Sequence, residues 1–195
     1  MKNFLITGIG GDIAQNIATI LRESVPFAKL IGTDIKTRHA GHLFVDEVYE
    51  VPAATTKEYF DNIRTLVRKY SIDIVIPTSE KELEIFQPLV EEFGEDRCIT
   101  AGEKVIDIGI DKIKTINFLA SLGIEVPWTI SANNSIPKNL PCIFKSKKGS
   151  GSRNLFIVEN MEDALFFSRK FPDSIFQELL LPDDQEITCA VYRAK

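Results

Sequence analysis

The sequence predicts an α/β protein: a parallel β-sheet covered by helices over residues 1–102, then a smaller α+β unit over 103–195. Three observations carry this reading. Short apolar runs alternate with amphipathic helical stretches through the first part. The runs are apolar on both faces, as strands buried inside a parallel sheet are. Near residue 103 the alternation stops, and the order becomes strand, glycine loop, strand, helix, strand, strand.

Each element has a local reason. Residues 4–7 are a short apolar strand, and the glycine-rich turn 8–12 follows it. Ile13, Ile17, Ile20 and Leu21 repeat at helical spacing and predict a helix over 13–23. Strands are expected over 29–34 and over 47–51, the second stopped by Pro52. Tyr59, Phe60, Ile63, Leu66, Val67 and Tyr70 form one stripe and predict a helix over 57–70. A strand over 73–76 ends at Pro77. Ser79 and Glu82 have the spacing of a capping box, so one helix is expected over 79–93. A last strand is expected over 97–101.

In the second part, helices are expected over 104–109 and 111–122, with Gly123 as the stop. A polar loop follows at 132–139, a strand at 142–146 and a glycine-serine turn at 147–154. Then come a strand at 155–159, a helix at 161–171 and strands at 175–180 and 186–193. The chain stops inside or just after that last predicted strand, so the second unit is expected to be a truncated domain.

Composition narrows the function classes. With 44% hydrophobic and 26% charged residues the chain can bury a core, and its net charge of -5 comes from interleaved signs. No basic patch fit for a nucleic acid is evident, so no nucleic-acid partner is expected. Cys98, Cys142 and Cys189 are scattered without a CxxC pair, which predicts reduced thiols and a cytoplasmic setting. The apolar runs are strand-length, and no secretory leader opens the chain, so no membrane partner is expected. His39 and His42, with Asp46 nearby, are an incomplete metal set, and no metal is expected there.

Two glycine loops carry the chemistry. Gly8, Gly10 and Gly11 lie between a strand and a helix, where backbone N–H groups can approach an anion. Asp34 ends the second strand, where a dinucleotide fold places its ribose acid. This is the basis of an alternative reading as an NAD(P)-dependent oxidoreductase, but Ile13 stands where GxGxxG has its third glycine. The second loop follows the strand that ends Phe144-Lys145-Ser146. Lys145 can aim its charge at a phosphate, while Gly149, Ser150, Gly151, Ser152 and Arg153 supply turn freedom, donors and a further cation. It is no Walker loop, since GxxxxGK[ST] is absent.

The order of these pieces resembles the ATP-grasp superfamily, and most closely its carbamoyl-phosphate synthase large-subunit-like branch. The residues are Asp111-Lys112, then 123–127, then Phe144-Lys145 with 149–153, then 176–180, then Glu186; Pro77-Thr78-Ser79-Glu80 resembles the end of a lead-domain strand in that branch. The resemblance implies a Rossmann-like lead domain over 1–102 and the first, incomplete part of an ATP-grasp domain over 103–195. It implies that Lys112 and Lys145 reach the phosphates of ATP under the loop Gly149, Ser150, Gly151, Ser152 and Arg153. Glu178, Leu179 and Leu180 would read the adenine edge, and Glu186 would hold the ribose. Gly8, Gly10 and Gly11 would then touch a small-molecule substrate. The family's magnesium ligands fall later than Lys195, so the chain is expected to need a C-terminal ATP-grasp half, and a homo-oligomer is a further expected assembly. A non-catalytic binding or assembly module is the other alternative.

Overall fold

β1 (Asn3–Thr7) is buried from Phe4 to Thr7, which suits the middle of a sheet and not its edge. The computed structural model describes residues 2–133, 135–149, 155–182, 185 and 187. In it β1 lies between β2 (Lys29–Asp34) and β4 (Ile74–Ile76), with β3 (Glu47–Glu50) beyond β2. All pairings are parallel, with Leu5 beside Ile31 and Val75, and Ile6 beside Gly32 and Ile76. The order β3-β2-β1-β4 is Rossmann-like, because the chain returns to the far side of β1 after β3.

Strand alternation sends side chains to two layers. Leu5, Ile31 and Val75 pack with Tyr59 and Ile63 of α2 (Glu58–Lys69) and Leu89 of α4 (Gln87–Phe93). Phe4, Ile6 and Leu30 pack with Ala14 and Ala18 of α1 (Asp12–Ser24). Burying a side chain such as Ile63 is worth about 1.5–3 kcal/mol, so the two layers hold the sheet.

Two expectations are corrected. The single helix over 79–93 is two, α3 (Glu80–Leu83) and α4. Pro88 has no N–H for the carbonyl of Glu84 and its ring crowds that carbonyl, whereas in the first turn of α4 the missing donor costs nothing. The capping box of Ser79 and Glu82 is present as expected. The stretch 97–101 is a single parallel bridge, Cys98 to Val75, held by Val75 N to Arg97 O at 2.7 Å and Ile99 N to Val75 O at 2.9 Å. β4 offers so short a ladder before Pro77 that a neighbour has little to pair with.

The chain divides into compact units Met1–Asp107 and Ile108–Lys195, a division that falls inside α5 (Glu103–Ile110). The second unit holds α6 (Lys112–Ser121), β5 (Thr129–Ser131), β6 (Cys142–Ser146), β7 (Phe156–Val158), α7 (Met161–Lys170) and β8 (Ser174–Glu178). Its sheet is antiparallel in the order β5-β8-β6-β7. Cys142 and Phe144 face α7, where Phe144 lies 5.0 Å from Phe167 and 5.1 Å from Phe176 between ring centres. Alternation therefore turns Lys145 to the opposite face, away from that core. Of the predicted strand over 186–193 only Ile187 is described, exposed and in no strand, and Cys189 lies outside the described residues. Cys98 and Cys142 are buried free thiols, and burial pushes Cys98 up to about 11.

Candidate functional site

In the second unit, the start of α6 meets the end of β6. Asp111 caps α6, accepting from the N–H of Ile113 at 3.0 Å and of Lys114 at 3.2 Å. The backbone N–H of Lys112 donates to Lys147 O at 3.1 Å, and its ammonium donates to Gly149 O at 2.8 Å. Lys147 forms an ion pair with Asp111 at 2.9 Å. Gly149 has φ +108°, a conformation that favours glycine. Lys145 stands two residues before Lys147 on β6, paired in register with Ile175 of β8. The structure thus gathers Lys112 and Gly149 directly, with Lys145 on the adjoining strand. Ser150, Gly151, Ser152, Arg153 and Glu186 lie outside the described residues.

Glu178 ends β8, in register with Cys142 at the opposite end of β6 from Lys145. The three-residue separation along the strand is roughly 10 Å. Its carboxylate accepts from Trp128 N at 3.2 Å, and its own N–H donates to Trp128 O at 2.9 Å. Leu179 is half-buried and Leu180 exposed.

In the first unit, the loop after β1 sits at the carboxyl ends of the strands where the order reverses, the usual crevice of an open α/β sheet. Gly8 has φ +62°, and a Cβ there would lie 2.8 Å from Thr78 Oγ1. A Cβ on Gly10 would lie 2.9 Å from Asp34 Oδ2. The amides of Ile9, Gly10 and Gly11 donate to Thr33 O at 3.0 Å, Asp34 Oδ2 at 2.8 Å and Gly8 O at 2.9 Å. These amides are occupied internally, and the carboxylate that would bind a ribose is bonded to the loop itself.

Sequence reasoning missed Glu82, which it read only as a capping partner. The carboxylate is buried and accepts from Tyr59 OH at 2.7 Å, Thr7 Oγ1 at 2.7 Å and Ser79 Oγ at 2.8 Å. It joins β1, α2 and the start of α3 beside the Gly8 turn, where Thr78 Oγ1 also donates to Thr7 O at 2.8 Å. Burial, then the charge of Glu82, pushes the Tyr59 phenol up, so it stays a donor. The sequence signal was the hydroxyl of Tyr59 within the apolar stripe of α2.

The histidines serve the loop after β2. His39 Nδ1 accepts from Gly41 N at 3.0 Å, and His42 Nε2 meets Thr37 O at 2.6 Å. Among the described residues no group of three or more His, Cys, Asp or Glu could hold a metal, and no helix is long and apolar enough to cross a membrane.

Comparison with known proteins agrees with this architecture. The chain is similar in fold to an L-amino acid ligase from Bacillus licheniformis (14% identity, TM-score 0.68, 92% of this chain and 44% of that one). It is similar to N5-carboxyaminoimidazole synthetase from Staphylococcus aureus complexed with ADP (16%, 0.70, 92% and 48%). It is also similar to the biotin carboxylase domain dimer of Hydrogenobacter thermophilus 2-oxoglutarate carboxylase, in complex with MgADP, ADP and bicarbonate (19%, 0.66, 92% and 44%). The chain spans under half the length of each of these chains. No curated protein sequence matches it. The model of the family described as PylC-like, N-terminal domain, matches residues 4–101, just over half of the sequence, and the chain belongs to that family.

Proposed function

We propose that this chain is the front portion of an ATP-dependent ligase of the ATP-grasp kind, with residues 1–102 as lead domain and 103–195 as the first part of the ATP-binding fold. The observation that carries it is the junction of α6 and β6. There Lys112 reaches a loop carbonyl at Gly149 and Lys145 lies on the adjoining strand. A carbonyl oxygen held by an ammonium is a place a phosphate oxygen can take. Three neighbours of similar fold are a ligase, a synthetase and a biotin carboxylase domain, and two of them hold ADP, which supports the reading.

The reaction of such a ligase joins a carboxylate to the γ-phosphate of ATP and releases ADP. An amine then attacks the acyl phosphate and phosphate leaves. Lys112 and Lys145 would neutralise the charge on the transferring phosphoryl oxygens. Glu178, Leu179 and Leu180 would face the adenine, Glu186 the ribose, and the two ends of the β6–β8 pair suit that separation. Magnesium would supply charge neutralisation at the phosphates, and by the resemblance its ligands would come from a C-terminal half. Gly8, Gly10 and Gly11 would shape the acceptor pocket sterically, because the amides of Ile9, Gly10 and Gly11 are occupied. The finer placement near carbamoyl-phosphate synthase rests on motif order and on Pro77-Thr78-Ser79-Glu80.

The same occupied amides weigh against an NAD(P) site. Calorimetric titration of the complete protein, this chain with its C-terminal half, decides the matter. The reading expects saturable heat with magnesium-ATP and none with NAD or NADP. Dinucleotide binding without ATP binding would reverse it.

A further inference from the structure

Asp111 does two things with one carboxylate. Oδ1 caps α6 through the amides of Ile113 and Lys114, and Oδ2 meets Lys147 Nζ at 2.9 Å. An aspartate that only caps a helix needs no ion pair and is normally exposed. The Asp111 side chain is 4% exposed and that of Lys147 39%. Burial pushes the carboxyl up, but the bond to Lys147, followed by the amides of Lys114 and Ile113, outweighs it and leaves it below its usual value. The group is therefore charged at neutral pH.

Backbone bonds work to the same end. Lys112 N donates to Lys147 O at 3.1 Å, and Lys147 N donates to Asp173 O at 3.2 Å. The start of α6, the end of β6 and the turn before β8 are clamped around one buried carboxylate. Lys112, the next residue, inherits that fixed origin.

This separates the cations of the loop. For Lys147 to serve a phosphate it would have to abandon Asp111, and a buried charge left unpaired is strongly unfavourable. Lys112 instead sends its ammonium to the loop, at Gly149 O. We infer that Asp111 is a positioning residue of the phosphate site, aiming Lys112 through the first turn of α6 and fixing the strand that carries Lys145 through Lys147. The inference rests on the nucleotide reading above.

The test titrates ADP and adenosine into the complete protein, as wild type, Asp111→Asn, Lys147→Met and the double variant. Asparagine keeps a capping side chain and removes the charge. The expected result is a loss of about tenfold or more in ADP affinity for each single variant, the scale of a charge-assisted contact. Adenosine affinity stays within about twofold, and the double variant is no weaker than the poorer single, since both act through one contact. Equal losses for ADP and adenosine would show a merely structural role and overturn the inference. So would wild-type ADP affinity in Lys147→Met, which decides the matter even where Asp111→Asn does not fold. A wild type that binds neither ligand would defeat the nucleotide reading itself.

Discussion

Gly8 is constrained twice over. Its φ of +62° and the 2.8 Å approach of a Cβ to Thr78 Oγ1 act together. Gly8→Ala is expected to destabilise the first unit by at least about 1–2 kcal/mol, the cost of the left-handed conformation alone, read by urea unfolding. Glu82→Gln is expected to cost about 1–3 kcal/mol, because an amide NH2 would confront hydroxyls that now donate to a carboxylate. In the complete protein, Lys145→Ala is expected to weaken ATP binding by about 1.5–3 kcal/mol with the fold intact. The glycine turn was legible in the sequence, and so was the loop that Lys112 meets, since each is marked by its neighbours. The role of Glu82 was not, because its partner Thr7 lies 75 residues away and only the parallel sheet brings them together.

Elements follow their local sequence where packing and periodicity agree. β1, β2 and α2 are of this kind, each with an apolar pattern that matches its burial. The break between α3 and α4 was legible too, since Pro88 alone forbids a continuous helix, but the apolar period masked it. The stretch 97–101 was not legible, because pairing there depends on the length of β4. The edge strand β3 carries a prediction of its own. Glu47 is held down at about 2 by Lys29, then by Tyr49 and Tyr70, against an ordinary value of 4.5. A lowered folded value means that the contribution is full above about 4.5 and is lost as pH falls towards about 2. The urea midpoint of the first unit is expected to fall across that window, and Glu47→Gln to flatten the fall. An unchanged slope in the variant would remove the Lys29–Glu47 pair from the account of acid stability.

At the scale of the whole molecule, a parallel doubly wound unit precedes an antiparallel unit in which strand alternation turns Lys145 away from the aromatic core. The sequence order of motifs made this legible, since each motif is weak alone and their succession is not. What it left open is the chemistry, because this chain spans under half the length of the structural neighbours. The proposed role of Lys112 and Lys145 in phosphoryl transfer by an ATP-dependent ligase can be read from turnover. The most direct measurement is coupled ADP release with magnesium and a panel of carboxylates and amines, run on this chain alone, on the complete protein and on its Lys145→Ala variant. The complete protein is expected to release ADP only when a carboxylate is present, Lys145→Ala to abolish the release, and this chain alone to be silent. Carboxylate-dependent release that survives Lys145→Ala, or turnover by this chain alone, would contradict that expectation.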